Sequence, residues 1–387
     1  MENKSLGIYV HIPFCVKKCD YCDFLSQVGS VSLQERYMQC LLEEIRQVSS
    51  DYREYQVETI FIGGGTPSVL KPEWIEKVLA CIYQNYDLLP LGSIEITLEC
   101  NPGTLDCRKV LSFREAGINR ISLGLQSADN RELRLLGRIH TWEDFLESAE
   151  LVKQHFDNWN VDLMSALPGQ SIESWKRTLE QTLLLEPKHI SAYSLIIEEG
   201  TPFYDKYQED EKLRQKGEKP HILPDEEAER QMYIMTKELL EAHGYRRYEI
   251  SNYARDGYAC LHNERYWKRQ DYIGVGLGAA SCIQNVRFRN TRNMENYLQS
   301  AGSDKKEIQY LTVNEQMEET MYLGLRRMEG VNLDSFYRQF GKSMDEVFGH
   351  VLCRLEEEKL LKYSGNYIQL TQKGIDVSNY VLSDFLL

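Results

Sequence analysis

The run GIYVHIPFCVKKCDYCDF, residues 7 to 24, joins two signals. Its first part, GIYVHI (7–12), is apolar and partly β-branched and reads as a buried strand. Its second part sets Cys15, Cys19 and Cys22 within eight residues and then stops, with Phe24 where a further cysteine could stand. A strand that opens into a thiol-rich loop asks what the rest of the chain builds around that strand's end.

Outward from the loop, short apolar runs alternate with longer helical ones. Residues 31–48, VSLQERYMQCLLEEIRQV, read as a helix capped by Ser32, and ETIFIGG (58–64) as the next strand. A helix over 71–86 carries Pro72 in its first turn, where a missing N–H is harmless. SIEITLE (93–99), a helix over 104–116, NRISLGLQ (119–126), NVDLMSAL (160–167) and HISAYSLI (189–196) continue the alternation. Strands joined by crossover helices pair in parallel with right-handed connections, and runs apolar on both faces are covered on both. Six such units are too few for a closed eightfold barrel, so the pattern predicts an α/β fold: an open, partial (β/α)6 barrel.

The 387 residues carry 45 Lys and Arg against 59 Asp and Glu, a formal net charge of −14. That balance disfavours a nucleic-acid groove or an anionic membrane surface as partner. No run approaches the roughly 18 apolar residues of a membrane span. The start, MENKSLGIYVHIPF, shows no secretory pattern, so a cytoplasmic protein is expected. Seven further cysteines are scattered and read as reduced, mostly buried thiols. Residues 203–224, FYDKYQEDEKLRQKGEKPHILP, are dense in charge and read as a solvated connection. Beyond about 312 the chain is mostly helical. A turn at Gly330 and a hairpin across Ser364–Gly365–Asn366 predict a winged-helix-like unit. Its recognition-helix candidate carries Glu356, Glu357 and Glu358, which opposes binding to DNA phosphates.

Three thiols in a C-x3-C-x2-C loop have three readings. Structural zinc wants a fourth ligand, and neither a second C-x2-C pair nor a freely placed histidine supplies one; His11 lies inside the strand. An iron–sulfur cubane held by three thiolates leaves one iron open to a small molecule. Incidental clustering is the third.

The loop resembles the cluster loop of the radical S-adenosylmethionine (SAM) superfamily, in the branch of oxygen-independent coproporphyrinogen III oxidases and HemW-type haem chaperones. The likeness runs through GGGTPS (63–68), LECNPGT (98–104), GINRISLGLQS (117–127), LGRIHT (136–141), DLMSALPGQ (162–170), SAYSLIIEEGTP (191–202), YEISNYAR (248–255) and HNERYW (262–267). The oxidases continue the third cysteine with C-x-C and carry a longer arm before the clamp. Phe24 and the short arm before Cys15, with the H-N-x-x-Y-W match, point to the chaperone branch. The resemblance implies a 4Fe–4S cluster on Cys15, Cys19 and Cys22, SAM on its fourth iron, and haem passed to an acceptor protein, with a reductant for the cluster. It implies a partial barrel over 1–205, a charged connection and haem-motif segment over 206–311, and the winged-helix-like unit over 312–387. The competing functions are coproporphyrinogen oxidation, or another SAM-radical reaction on a tetrapyrrole, and an acidic winged-helix regulator with a redox cluster.

GGGTPS lacks the spacing of a phosphate or dinucleotide loop. By resemblance Gly64, Gly65 and Thr66 meet the methionine part of SAM; the alternative is a tight strand-to-helix turn. Glu99 and Gln126, at the C-terminal ends of their strands, suit ribose hydroxyls and the sulfonium or ammonium charge. Arg138 suits the SAM carboxylate through its two-pronged fork, and Asp162 points inward and needs a partner. A structural ion pair is the alternative for both. Tyr9 and Tyr21 match positions packed near cluster and SAM, or are plain core and loop aromatics. His262 is the candidate haem ligand, with Tyr266 and Trp267 as aromatic surface; a hydrogen-bonded structural histidine is the alternative. IGVGLGAAS (273–281) would let a flat ligand approach the backbone, and Arg287, Arg289 and Arg292 would meet propionates or form a solvated basic face.

Overall fold

The computed structural model describes residues 4–387. β1 (Lys4–Ile12), β2 (Tyr55–Gly64), β3 (Glu95–Cys100), β4 (Arg120–Gln126), β5 (Asn158–Ser165) and β6 (His189–Ser194) lie side by side in chain order, every neighbouring pair parallel. The crossovers carry α1 (Val31–Ser49), α2 (Pro72–Asn85), α3 (Cys107–Glu115), α4 (Trp142–His155) and α5 (Ile172–Leu183). Side chains fix where these helices start. Asp106 accepts from the Lys109 N–H at 2.8 Å, and Thr141 forms a reciprocal box with Asp144. α1 is capped by Ser30, which accepts from Leu33 N at 3.2 Å; the expected cap, Ser32, lies one residue inside the helix.

The sheet does not stop at the predicted strands. β7 (Asn252–Ala254) runs antiparallel along β6, while β8 (Tyr272–Val275) adds a parallel strand beside β1. β9 (Ala280–Ile283), β10 (Val286–Asn290) and β11 (Lys305–Tyr310) extend that edge antiparallel. α6 (Pro202–Gln215) and α7 (Glu226–Ala242) precede β7, and between β7 and β8 the chain passes through α8 (Leu261–Trp267), the HNERYW segment. Glu95, at the start of β3, accepts from the N–H groups of Leu261 and His262, each at 3.0 Å, so α8 begins at the N-terminal end of the barrel strands. Gly7 makes room for it, since a Cβ there would meet Arg265 Cδ at 2.5 Å.

The charged run over 203–224 is ordered. α6 (Pro202–Gln215), capped by Thr201, buries Phe203 and Tyr207 against Leu136, Leu167, Leu195 and Leu223. Asp210 then accepts from the N–H groups of His221, Ile222 and Leu223 at 3.0, 2.6 and 2.9 Å, folding the tail back. Phe203, Tyr207 and Asp210 anchor the helix, which corrects the reading of a solvated connection.

The C-terminal unit has its own core, including Met321, Phe336, Phe348, Leu352, Ile368 and Phe385. Helices Val313–Gly324, Leu333–Phe340 and Met344–Glu357 precede a hairpin in which Ser364 pairs with Tyr367 across Gly365–Asn366. Gly330, at a φ of 77°, makes the expected turn. Residues of 232–297 such as Met232, Tyr253, Val275 and Tyr297 share the barrel's core. We propose the divisions at 205 and 311 on that basis: the second segment packs on the barrel, and the third folds around its own centre.

Candidate functional site at the barrel mouth

The cysteine loop hangs from the C-terminal end of β1 and is tied down at several points. Cys15 N donates to Gln27 O at 3.0 Å and Gln27 N to Pro13 O at 2.8 Å, closing the loop's neck. Asp20 N donates to Leu136 O, and Phe203 N to Asp20 O, pinning its far side to α6. Held this way, Cys15, Cys19 and Cys22 border one cleft of about 680 Å³ together with Gly64, Gly65, Thr66, Glu99, Gln126, Arg138 and Asp162. Every cluster and SAM residue named from sequence except Tyr9 and Tyr21 is in that set, and Tyr21 lines the cleft too. Tyr9 lies deeper, along the barrel interior with Glu99 and Asp162.

Donors face the sulfurs. Thr66 Oγ1 donates to Cys15 Sγ at 3.5 Å, and Arg138 Nη1 donates to Cys19 Sγ at 3.8 Å. Asn101, which carries no sequence-based role, links the two. Its Nδ2 donates to Thr66 Oγ1 at 2.8 Å, and its Oδ1 accepts from Arg138 Nη2 at 2.9 Å. A polar residue directly after a strand end, in LECNPGT, was the available signal. Arg138 Nη2 also donates to the Gly124 carbonyl at 2.7 Å, while its Nε is buried without a partner. Among the described residues no carboxylate pairs with Arg138, so it is not a structural ion pair. Asp162 accepts from Ser122 Oγ at 2.9 Å and Asn160 Nδ2 at 2.7 Å, so its partners are neutral.

The glycines of GGGTPS serve the protein's own packing. Gly64 has a φ of 106°, and a Cβ on it would lie 2.3 Å from the His11 ring and 3.0 Å from Tyr9 Oη. A Cβ on Gly65 would meet the carbonyls of Phe14 and Ile12 at 2.7 and 2.8 Å. Gly64 N donates to Glu99 Oε2 at 2.9 Å. Burial raises the Glu99 carboxyl to about 7, with that hydrogen bond opposing the rise. His11 Nε2 must donate to Leu25 O at 2.8 Å, so its Nδ1 accepts from Tyr9 Oη at 2.9 Å, and the imidazole is neutral. His11 thus braces the loop, a role sequence reading did not give it. Gln126 adopts a φ of 73°, a left-handed conformation uncommon for this residue type, where β4 ends.

His262 is elsewhere. It is 1% exposed, its Nδ1 meets Thr59 Oγ1 at 2.8 Å, and its Nε2 meets Tyr266 Oη at 2.9 Å. Its ring stacks on Phe61, and burial lowers it to about 3. Both nitrogens are engaged inside the barrel's N-terminal end, so the assignment of His262 as haem ligand does not fit this geometry. The structural reading of that histidine does. Tyr266 packs edge-on to His262 and Tyr272, and Arg326 lies over the Trp267 ring at 4.4 Å, so both aromatics are engaged by neighbouring side chains.

The glycines of 273–281 are likewise filled by protein. A Cβ on Gly276 would meet His11 O at 2.6 Å, and one on Gly278 would meet Leu25 Cδ2 at 2.4 Å. Arg287 pairs with Glu319 at 2.7 Å and Arg289 with Glu307 at 2.9 Å, which replaces the solvated basic face at those two positions.

Among the described residues, no three His, Cys, Asp or Glu side chains converge tightly enough to hold a single metal ion. No helix among them is long and apolar enough to cross a membrane.

A thiol-bearing loop over a six-unit parallel barrel places this chain in a recognised class: the Radical SAM superfamily pattern matches residues 9–182, and the HemN C-terminal domain matches 311–377. The coproporphyrinogen III oxidase HemN of Escherichia coli, a radical SAM enzyme, has the same fold, with a TM-score of 0.85 over 99% of this chain and 90% of that one at 22% identity. The sequence goes further. It is 36% identical to the heme chaperone HemW of Lactococcus lactis over 100% of this chain and 99% of that protein. It is also 36% identical to that of Bacillus subtilis over 98% of each. The chain belongs to the HemW family.

Proposed function

We propose that the protein is a haem chaperone that binds a 4Fe–4S cluster, SAM and haem, and passes haem to a haem-requiring acceptor. The observation that carries the reading is identity to heme chaperone HemW along the whole chain, beside a HemN likeness that reaches only the fold. Cys15, Cys19 and Cys22 hold the cluster, and its free iron takes SAM. The donor set fits: three thiols share one cleft, with a hydroxyl and a guanidinium already aimed at two of them. Gly64, Gly65, Thr66, Glu99, Gln126, Arg138 and Asp162 hold SAM, with Tyr21 against the loop and Tyr9 behind Glu99. The unpartnered Nε of Arg138 suits the SAM carboxylate, and Glu99 suits a positive group. When bound, the cluster supplies electrons from a reductant toward the sulfonium centre.

Two results test this. Haem added to the reconstituted protein is expected to shift the Soret band with saturation near one haem per chain; an unshifted band removes the chaperone reading. Coproporphyrinogen with SAM and a reductant is expected to yield no protoporphyrinogen, and sustained turnover would restore the oxidase.

The raised Glu99 carboxyl gives a pH dependence. Its charged form, which attracts a cation, fills in as pH rises through about 7. SAM affinity measured by calorimetry should therefore increase from about pH 6 to about pH 8, and Glu99→Gln should bind more weakly with a flat profile. A flat profile in the unaltered protein would contradict the assignment.

A further inference from the structure

Asn101 stands where the two donors aimed at the cysteine loop meet, and its neighbours fix which way its amide points. Arg138 has only N–H donors, so the end of the amide facing its Nη2 at 2.9 Å is the oxygen. The other end is then the amino group, which donates to Thr66 Oγ1 at 2.8 Å. A hydroxyl that accepts from Asn101 keeps its own proton for a second partner, and that partner is Cys15 Sγ at 3.5 Å. The guanidinium, held at Nη2 by Asn101 and the Gly124 carbonyl, turns its Nη1 to Cys19 Sγ at 3.8 Å. One side chain thus sets the direction of a donor to each of two cysteine sulfurs.

Asn101 is itself fixed from behind. Its N–H donates to Ser68 Oγ at 3.2 Å, the Ser68 and Thr104 hydroxyls meet at 2.6 Å, and Thr104 Oγ1 donates to the Asn101 carbonyl at 2.6 Å. Thr104 spends its one hydroxyl proton there, so Ser68 donates to Thr104 and the ring closes with every proton placed. Lys109 Nζ clamps the outer side through the Ser68 and Thr104 carbonyls at 2.6 and 3.0 Å. In front, Gly124 leaves the necessary room: a Cβ there would lie 2.9 Å from Asn101 Oδ1 and 3.3 Å from Arg138 Nη2.

Resting on the cluster assignment above, we propose that Asn101 is a positioning residue for cluster reduction: by ordering Thr66 and Arg138 it aims donors at the sulfurs of Cys15 and Cys19 and raises the reduction potential. Reduction adds one electron and moves no proton, so the thiolate sulfurs carry more negative charge afterwards. Donors already fixed beside two of them favour that state over the oxidised one, and hydrogen bonds to the sulfurs are among the features that set such potentials.

The test is the midpoint potential of the full-length, reconstituted protein, read by electron paramagnetic resonance during titration with dithionite. SAM is left out, which removes its contacts with Thr66 and Arg138 from the comparison. Thr66→Val deletes the donor to Cys15 and should lower the potential by about threefold to tenfold in the one-electron equilibrium, tenfold being about 59 mV. Thr66→Ser, which keeps the hydroxyl, should hold the unaltered value. Asn101→Asp keeps one oxygen toward Arg138 and turns a second toward Thr66, so the hydroxyl proton goes to the carboxylate and leaves Cys15. It should therefore lower the potential more in the unaltered protein than in Thr66→Val, where only its charge acts. Asn101→Ala, which frees the hydroxyl without adding charge, takes its place if Asn101→Asp fails to fold, with the same inequality expected. A Thr66→Val potential equal to the unaltered one, or effects at the two positions that simply add, overturns the proposal while the cluster assignment stands. No cluster signal in the unaltered protein overturns both.

Discussion

Cys15→Ala, Cys19→Ala and Cys22→Ala are each expected to abolish the cluster absorbance of the anaerobically reconstituted protein. Cys100→Ala, a buried thiol bordering the same cleft, should leave it in place. The contrast follows from ligand arithmetic. A cubane held by three thiolates has none to spare, and two cannot fix the cluster against solvent and chelators. The loop survives such a change, because its neck and its α6 contact are backbone hydrogen bonds that need no thiol. Iron content should therefore fall to background while the circular dichroism spectrum holds. A cluster that persists in any of the three variants would mean that another residue supplies a ligand.

Gly64→Ala should damage both the fold and the cysteine loop. It forces an L-residue to a φ of 106° and drives Cβ to 2.3 Å from the His11 ring, which is itself wedged between Tyr9 and Leu25. Strain and overpacking together amount to about 3 kcal/mol or more. The displaced His11 also releases the cysteine loop, so cluster retention and SAM affinity should fall together. Gly169→Ala separates the two causes. Gly169 has a φ of 72° with nothing within 4 Å of an added Cβ, so only the backbone term remains, about 1 kcal/mol. Urea unfolding midpoints of both variants check the difference. Equal midpoints would show that His11 is free to move aside.

What was legible in the sequence is what local chemistry encodes. Strands such as RISLGLQ announce themselves because burial on both faces makes them apolar throughout, and every residue of that strand but Gln126 is buried. The thiol spacing is equally local. The edge strands escaped notice because β7 to β10 span only three to five residues each, and the strands that β7 and β8 pair with, β6 and β1, lie far along the chain. Glycines at 276 and 278 read as room for a ligand, when the space is filled by His11 and Leu25, which are more than 250 residues earlier. Separations of 203 and 166 residues likewise hid Thr59 from His262 and Glu95 from the first turn of α8. A motif can mark the right residues while pointing at the wrong partner. HNERYW builds the barrel's closed end, and its histidine is spent there.

The central claim is that three thiolates at the barrel mouth hold an iron–sulfur cluster with one iron left for SAM. Electron paramagnetic resonance of the anaerobically reconstituted, reduced protein, recorded with and without SAM, tests it most directly. The expected spectrum is that of a reduced 4Fe–4S cluster whose g-values move when SAM is added. A spectrum indifferent to SAM, or a protein that takes up zinc and yields no cluster signal, would contradict it.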